Sequence, residues 1–379
     1  MGVRLFDEIS GRIVFFTIII YFLNRKEINR LGSNVLVRFI FICLFYFLFC
    51  LVKNIQPYYP MMLGWLSALF TLAPYVNGCP YFLDDLYKLS RFSVIYSLIH
   101  VIVQMVLPFM IIPTDIPMQP KTFLYLLYYN REIGYMGLNR IQGYCWEPSN
   151  WNMILNVNLI LSLYLKKPFR NVLEAIIAII TVMSTTGIVV MVATLFLNYL
   201  VFSNLPKFKR IFLFIISATL LGEFAYNELH EKLANASGEA RQADMMVALA
   251  VAKVHPLLGA DIDNLTKNEI AMNARIDSME RGEFNNLGLL EREGMVNSFA
   301  GLIVEWGIPL TILIIFSLCR CPLFKDKKLR IFFSIVFLMI LTGTPIARCG
   351  FFFLFVFSSI LANRFSNYKK NMYGSDVTI

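Results

Sequence analysis

Residues 237–264 read SGEARQADMMVALAVAKVHPLLGADIDN. They lie at the centre of a longer polar segment, from Tyr226 to Asn297, which has strongly apolar runs on either side. This polar segment carries twelve of the chain's 25 acidic residues, together with seven basic ones. Hydrocarbon cannot satisfy so many polar groups, so the segment must lie in water or line a wet cavity. We therefore expect function to be concentrated here.

The remainder of the chain has the composition of a membrane protein. Of its 379 residues, 58% are hydrophobic and only 16% are charged, with a mean hydropathy of +0.63, whereas soluble domains are about 25% charged. Because about 20 apolar residues make one helical span, the apolar runs predict an all-α fold. The expected architecture is a polytopic membrane helical bundle of about eleven transmembrane helices, a single integral membrane domain over 1–379. The predicted spans are about 9–23, 36–52, 58–76, 92–112, 151–165, 171–185, 187–202, 211–226, 298–318, 331–345 and 348–362.

The distribution of Lys and Arg predicts the orientation of these spans. With 24–38 placed inside, the inner loops and the tail hold 20 basic residues and the short outer segments hold four. Basic residues favour the cytoplasmic side. We therefore expect a multi-pass membrane protein with a cytoplasmic C-terminus and two large loops outside, 113–150 and 227–297. In a bacterial inner (cytoplasmic) membrane, outside means the periplasm. Arg25 and Lys26 follow the first apolar run, and no cleavage site does, so a retained anchor is favoured over a signal peptide.

Several classes of function are disfavoured by the composition. Seven cysteines show no CxxC pair and three histidines show no paired ligand spacing, so no metal site is expected. The net charge of +9 comes from short loops between spans, which indicates membrane orientation and not a nucleic-acid partner. We expect no cofactor. ATP and nucleotide sugars are absent from the periplasm, so a substrate there must carry its own activation.

The first long loop ends GLNRIQGYCWEPSNW, from Gly137 to Trp151. Pro148 suits the first position of the next helix because its missing N–H is not needed there, which would place Glu147 at the outer surface. The Arg140 guanidinium suits phosphate oxygens, and the Glu147 carboxylate can take a proton from a hydroxyl. Alternatively, these two side chains pair with each other, or Glu147 helps to cap the helix. Three aromatic residues are either interfacial belt residues or sugar-stacking platforms, namely Tyr144, Trp146 and Trp151.

In the second loop, Ser237 is the predicted N-cap of a helix over about 238–254. Arg241 and Asp244 share one face of this helix and could form a surface ion pair. The opposite, apolar face would lie against the spans, which would present Arg241 to a cavity. His255 follows the helix, where a histidine is either a cap or a catalytic group.

Other polar residues lie close to the predicted spans. Arg348 follows Pro345 at an outer helix turn, and an arginine near hydrocarbon is costly unless it has a partner, which favours a functional role. His100 and Gln104 share a face within the fourth predicted span. They could line a cavity or pack between helices.

Three segments resemble one known family, in the same order and with similar separations. Residues 140–151, RIQGYCWEPSNW, are similar to the R-x-x-G-aromatic-x-x-E-P segment of bacterial O-antigen and capsule polymerases of the Wzy type. Residues 237–263, SGEARQADMMVALAVAKVHPLLGADID, resemble their S-G-x-x-R-x-x-D … h-P-l-x-G-x-G loop. Residues 297–313, NSFAGLIVEWGIPLTIL, resemble the N-s-y-x-x-x-x-x-E-x-G span that follows. These are the first, second and third segments below, and the resemblance covers about 110–320.

The resemblance implies a C-type, metal-independent glycosyltransferase, an O-antigen or capsular polysaccharide polymerase. Undecaprenyl-pyrophosphate-linked oligosaccharide would be both donor and acceptor. By position, Arg140 and Arg241 would hold the donor pyrophosphate, where charge develops as the glycosidic bond breaks, and Arg348 is a further candidate. Glu147 would act near the acceptor hydroxyl as base or positioner, with Asp244 second. The other substrate-binding candidates are Tyr144, Trp146, His255 and Asn297. The implied partners are membrane lipid and a chain-length regulator protein.

Two positions depart from the family pattern. Related ligases carry a His before the Asn of the third segment, where this chain has Val296, and the family's second Gly after HPLLG is Asp261 here. An O-antigen ligase, which would transfer the glycan to lipid A-core, is therefore an alternative that lacks one expected base. A lipid-linked oligosaccharide flippase or transporter is a second alternative. A transporter would be expected to show two similar halves, and the sequence shows none.

Overall fold

The computed structural model of the protein is built mainly from α-helices. It describes residues 9–76, 81–114, 120–133, 137–143, 145, 148–202, 236–283, 287–292, 294–324, 326–343, 348 and 350–359. The α-helices are α1 (Ile9–Ile28), α2 (Ser33–Val52), α3 (Tyr59–Val76), α4 (Phe82–Val106), α5 (Pro148–Tyr164), α6 (Phe169–Thr181), α7 (Thr185–Phe202), α8 (Ala236–Val254), α9 (Glu269–Glu280), α10 (Ser298–Cys319), α11 (Lys327–Gly343) and α12 (Gly350–Ser358). Short 3-10 helices cover Pro108–Met110, Ile262–Lys267 and Leu287–Leu289.

Three of the described helices, α2, α4 and α10, are long and apolar enough to cross a membrane. A shorter apolar helix covers Thr185–Tyr199. The mainly helical fold with membrane-spanning helices is what the composition predicts. The predicted span at 211–226 lies outside the described residues, and the count of eleven stays a prediction.

Helix α4 differs from the predicted span at 92–112. It begins at Phe82 and ends at Val106, so it includes a charged stretch that the sequence analysis assigned to a loop. These charges have partners in the structure: Asp84 accepts from Lys167 at 3.4 Å, and Arg91 pairs with Glu174. Paired charges can continue a helix beyond its apolar run, which hydropathy alone does not register.

A four-stranded antiparallel sheet precedes α5, an addition that the all-helical expectation did not contain. Its order is β1-β2-β3-β4, from the strands β1 (Ile112–Pro113), β2 (Lys121–Phe123), β3 (Leu127–Ile133) and β4 (Asn139–Ile141). Tyr129 on β3 pairs with Ile141 on β4, and both are fully buried. Aromatic and β-branched residues favour such a half-buried pleated surface. The described part of the first long loop therefore contains a small sheet, and α5 begins at Pro148.

The chain divides into two compact units. The described part of unit 1 falls within Leu83–Gly238 and Ile331–Thr344, and that of unit 2 within Glu8–Phe82, Glu239–Arg330 and Pro345–Ile379. The sheet and the first segment belong to unit 1. The second and third segments belong almost entirely to unit 2.

In unit 1, α5 packs against α6 and α7, and most of its residues are buried, including four asparagines. Asn152 donates to the Ile179 carbonyl at 3.3 Å, and Asn156 donates to the Gly187 carbonyl at 3.2 Å. A Cβ at Gly187 would lie 1.9 Å from the Asn152 side chain. A small residue and amide hydrogen bonds hold these helices close together, as is common between membrane helices.

In unit 2, α1 and α12 pack along α3, and α12 also contacts α10. An aromatic cluster lies among these helices. The Trp306 ring on α10 is 5.3 Å from Tyr46 and 5.7 Å from Phe49, both on α2, and 6.2 Å from Trp65 on α3. Offset and tilted aromatic pairs stabilise a structure beyond the burial of their apolar area. This cluster therefore helps to hold α10 against α2 and α3.

Candidate functional site

Two of the segments that resemble the family meet backbone to backbone in unit 2. Gly259 lies in the second segment with φ +67°, and Gly307 interrupts α10 in the third segment with φ +70°. A Cβ at Gly259 would lie 2.1 Å from the Val304 carbonyl oxygen, and a Cβ at Gly307 would lie 2.3 Å from that of Leu257. Both positions therefore require glycine for two reasons: the backbone is left-handed there, and the two backbones approach too closely to leave room for a Cβ.

Hydrogen bonds stabilise the same contact between residues 256–260 and residues 304–308. We call this contact the glycine junction. The Ala260 N–H donates to the Val304 carbonyl at 2.6 Å, and the Ile308 N–H donates to the Pro256 carbonyl at 2.8 Å. The Thr311 hydroxyl lies 2.8 Å and 2.7 Å from two carbonyl oxygens of the interrupted helix. The break in α10 thus leaves few unpaired backbone groups, which an apolar environment would penalise.

Lys53, at the end of α2, bridges the two sides of the glycine junction. Its Nζ donates to the Ala260 carbonyl at 2.9 Å and to the Glu305 carbonyl at 2.7 Å. Burial lowers the pKa of the Lys53 ammonium to about 8, and the Glu305 carboxylate opposes that shift. A partly buried ammonium that binds two carbonyls holds the second and third segments together.

Arg348 lies beside Lys53 and is bound by two carboxylates. Its Nε is 3.0 Å from both Glu305 oxygens, and its Nη2 is 2.9 Å from Oε1 of the same residue. Its Nη1 donates to Asp263 Oδ1 at 2.6 Å, and its guanidinium lies 4.5 Å from the centre of the Tyr58 ring. Burial opposes the charge on Arg348, but the two carboxylates outweigh it and raise its pKa above the ordinary value. Arg348 therefore has the partners that an arginine near hydrocarbon requires.

These side chains line a narrow pocket with room for little more than a water molecule. One wall is aromatic, from Tyr46, Phe49 and Tyr58. The other lining residues are partly polar and partly apolar. They are Ile55, Gln56, Ala260, Asp261, Ile262, Asp263, Glu305 and Arg348. The pocket thus combines charged groups of both signs with aromatic surface.

Asp244, a predicted catalytic residue, is buried and fully engaged in unit 2. One oxygen pairs with Arg292, and the other accepts from the backbone N–H groups of Val296 and Asn297 at 2.8 and 2.9 Å. Burial raises the pKa of the Asp244 carboxyl, which Arg292 and the two backbone groups oppose. Asn297 itself caps α10, because its side chain accepts from the Ala300 N–H at 3.1 Å. These contacts fix the start of α10 relative to α8.

Replacing Asp244 with asparagine is expected to destabilise the protein by about 3 kcal/mol, because Arg292 loses its charge partner and an amide N–H faces a donor. The measurement is the thermal unfolding of the detergent-solubilised variant. Asp277→Asn is the matched control, since Asp277 is exposed in the same loop. An unfolding temperature equal to that of the wild type would contradict this structural role of Asp244.

In unit 1, the conformation of the first segment depends on Gly143 and on hydrogen bonds with Gln104. Gly143 has φ +58°, and a Cβ there would lie 2.2 Å from the Trp151 ring. Gln104 holds Asn139, the neighbour of Arg140, through two hydrogen bonds of 2.9 and 2.7 Å to its backbone. Gln104 thus positions the strand that carries Arg140, which is itself half-buried.

The remaining predicted site residues differ in their burial and in whether they fall within the described part of the chain. Arg241 lies half-buried on α8 in unit 2. His255 is exposed, and its backbone continues the turn, with its carbonyl accepting from the Gly259 N–H at 2.9 Å. Three candidates lie outside the described residues, namely Tyr144, Trp146 and Glu147. Helix α8 begins at Ala236, one residue before the predicted cap at Ser237.

Sequence reasoning did not select Lys53, which bridges the glycine junction, or Asp263 and Glu305, which line the pocket. Glu305 had a signal, because it is the acidic residue of the third segment and lies within an apolar span. Lys53 also had one, as a basic residue at the outer end of a predicted span. Asp263 had none, because its role depends on a contact with Arg348, 85 residues further along the chain.

No family model, no curated protein and no solved structure matches this chain.

Proposed function

We propose that the protein is a membrane glycosyltransferase that joins undecaprenyl-pyrophosphate-linked repeat units into an O-antigen or capsular polysaccharide. One observation carries the proposal. The second and third segments, which were selected for their likeness to such polymerases, form one structure at the glycine junction, with Lys53 bonded to both. Gly259 and Gly307, which belong to the two similar patterns, are the residues at which this contact requires glycine.

The proposed reaction takes place at the periplasmic face of the bacterial inner membrane. Arg140 and Arg241 hold the donor pyrophosphate, because a guanidinium binds phosphate oxygens in a bidentate manner and stabilises the charge that develops on the leaving group. Glu147 acts on the acceptor hydroxyl. The resemblance assigns the pyrophosphate to these two arginines, whereas Arg348 is bound by two carboxylates.

The proposed topology follows the charge distribution in the sequence. About eleven spans place the C-terminus in the cytoplasm and both large loops in the periplasm. Membrane lipid and a chain-length regulator are the partners that this function entails.

The experiment is the glycan profile of a strain that lacks the protein, run as a gel ladder. We expect a core that carries a single repeat unit, because units are still flipped and ligated but are not joined. Long chains that remain on the lipid carrier would instead indicate a ligase, and an absence of repeat units at the periplasmic face would indicate a flippase. An unchanged ladder would overturn the proposal.

A further inference from the structure

The pocket beside the glycine junction contains more carboxylates than cations. Among the described residues, three carboxylates line the pocket, those of Asp261, Asp263 and Glu305. Arg348 is the cation in this lining, and Lys53 lies beside it on the backbone of the glycine junction. With each group counted at full charge, three negative charges against two positive ones leave −1. A ligand with two or more negative charges would therefore be repelled from this pocket, despite the arginine that it contains.

Most of the hydrogen-bonding capacity of these acids is already used. Both Glu305 oxygens accept from Arg348. The Asp261 oxygens accept from the Asp263 N–H at 3.0 Å and from the Asn264 side chain at 2.7 Å. These contacts hold the pocket in shape. They leave Asp261 and Glu305 little hydrogen-bonding capacity with which to bind a ligand.

Two exposed side chains at the pocket, those of Asp263 and Gln56, still have hydrogen-bonding capacity for a ligand. Asp263 bonds to Arg348 through Oδ1 only, so within the described part of the chain its Oδ2 accepts no hydrogen bond, and its side chain is 49% exposed. Gln56 also lines the pocket and is exposed, with an amide that can both donate and accept. Tyr58, whose ring covers Arg348, provides an apolar surface next to them.

We propose that this pocket mouth binds a sugar of the acceptor glycan through its hydroxyl groups, an assignment that rests on the proposed function. A hydroxyl can donate to the open Asp263 oxygen and exchange hydrogen bonds with the Gln56 amide, and a sugar ring can lie against Tyr58. A neutral polyhydroxyl ligand adds no charge to a pocket that is already negative. Arg348 orients the Asp263 carboxylate and is a positioning residue, not a phosphate ligand.

The test is direct binding to the full-length protein in lipid nanodiscs. The first probe is a phosphate-free oligosaccharide, released by mild acid from the host's own surface glycan, and the second is inorganic pyrophosphate. Saturation-transfer NMR measures binding of the oligosaccharide, and phosphorus-31 line broadening measures binding of pyrophosphate, which has no carbon-bound protons. For Asp263→Asn we expect affinity for the oligosaccharide to fall about tenfold or more, with affinity for pyrophosphate unchanged. Asp277→Asn, the same substitution at an exposed site, is expected to change neither.

Each other outcome has a defined meaning. Oligosaccharide binding that is absent in the wild type, or unchanged in Asp263→Asn, overturns the sugar assignment. Pyrophosphate binding that is strengthened by Asp263→Asn also overturns it, because Asp263 would then compete with phosphate for Arg348. Oligosaccharide binding that depends on Asp263, together with an unchanged glycan ladder in the deletion strain, supports the sugar subsite and rejects the polymerase.

Discussion

Replacing Arg241 with alanine is expected to reduce glycan chain extension about 100-fold or more, while the protein accumulates in the membrane at its normal level. The reason is that the guanidinium would stabilise negative charge on the departing pyrophosphate, which the ground state carries to a lesser degree. Arg140→Ala is expected to have the same effect. The measurement is the gel ladder of a deletion strain complemented with each variant, alongside a membrane blot.

Lysine at either position distinguishes a bidentate contact from a simple need for charge. It is expected to restore little extension, because an ammonium does not reproduce the planar fork of the guanidinium. Arg281→Ala is the control, since Arg281 lies in the same loop and pairs with the neighbouring Glu283 at the surface. Normal ladders from both alanine variants would reject Arg140 and Arg241 as the pyrophosphate site.

Replacing Gly307 with alanine is expected to destabilise unit 2 by about 3 kcal/mol or more, from left-handed backbone strain and a clash in a packed interior. The new Cβ would lie 2.3 Å from the Leu257 carbonyl oxygen and 3.0 Å from that of Pro256. Both of those atoms are backbone, so neither can move aside as a side chain would. The glycine junction should open, and thermal unfolding in detergent measures the loss.

Gly282 offers a matched control for this substitution. Its φ is +71°, nearly the same as that of Gly307, but a Cβ there meets no atom within 4 Å. Gly282→Ala should therefore cost only the conformational strain, about 1 kcal/mol. Equal losses of stability in the two variants would show that the close approach between the second and third segments contributes nothing.

The fold was predictable from the sequence where apolar periodicity and length decide it. Helix α10 begins at Ser298 and α5 begins at Pro148, close to the predicted starts, because a capping residue and a proline mark those positions. The sheet before α5 was not predictable in the same way. Its strands are short, and their pairing depends on contacts such as that of Tyr129 with Ile141, which local pattern does not encode.

The residues of the candidate site were partly predictable from the sequence, but their environments were not. Arg241 and Arg348 could be selected from the sequence, because an arginine in a loop or next to hydrocarbon needs an explanation. Their environments could not. Asp244 looked like a surface carboxylate three residues from Arg241, yet it is buried against Arg292 and the start of α10. Its partners come from 48 to 53 residues further along the chain.

The sequence by itself determined the membrane character of the chain, its mainly helical class and the polar loops in which function is expected. These follow from composition and from the spacing of apolar residues, which act locally and additively. Only the tertiary structure decided that Gly259 and Gly307 meet, that Lys53 bridges them and that Arg348 is shared by Glu305 and Asp263. Those contacts join distant parts of the chain, and their energy depends on distances of a few ångströms that no local pattern specifies.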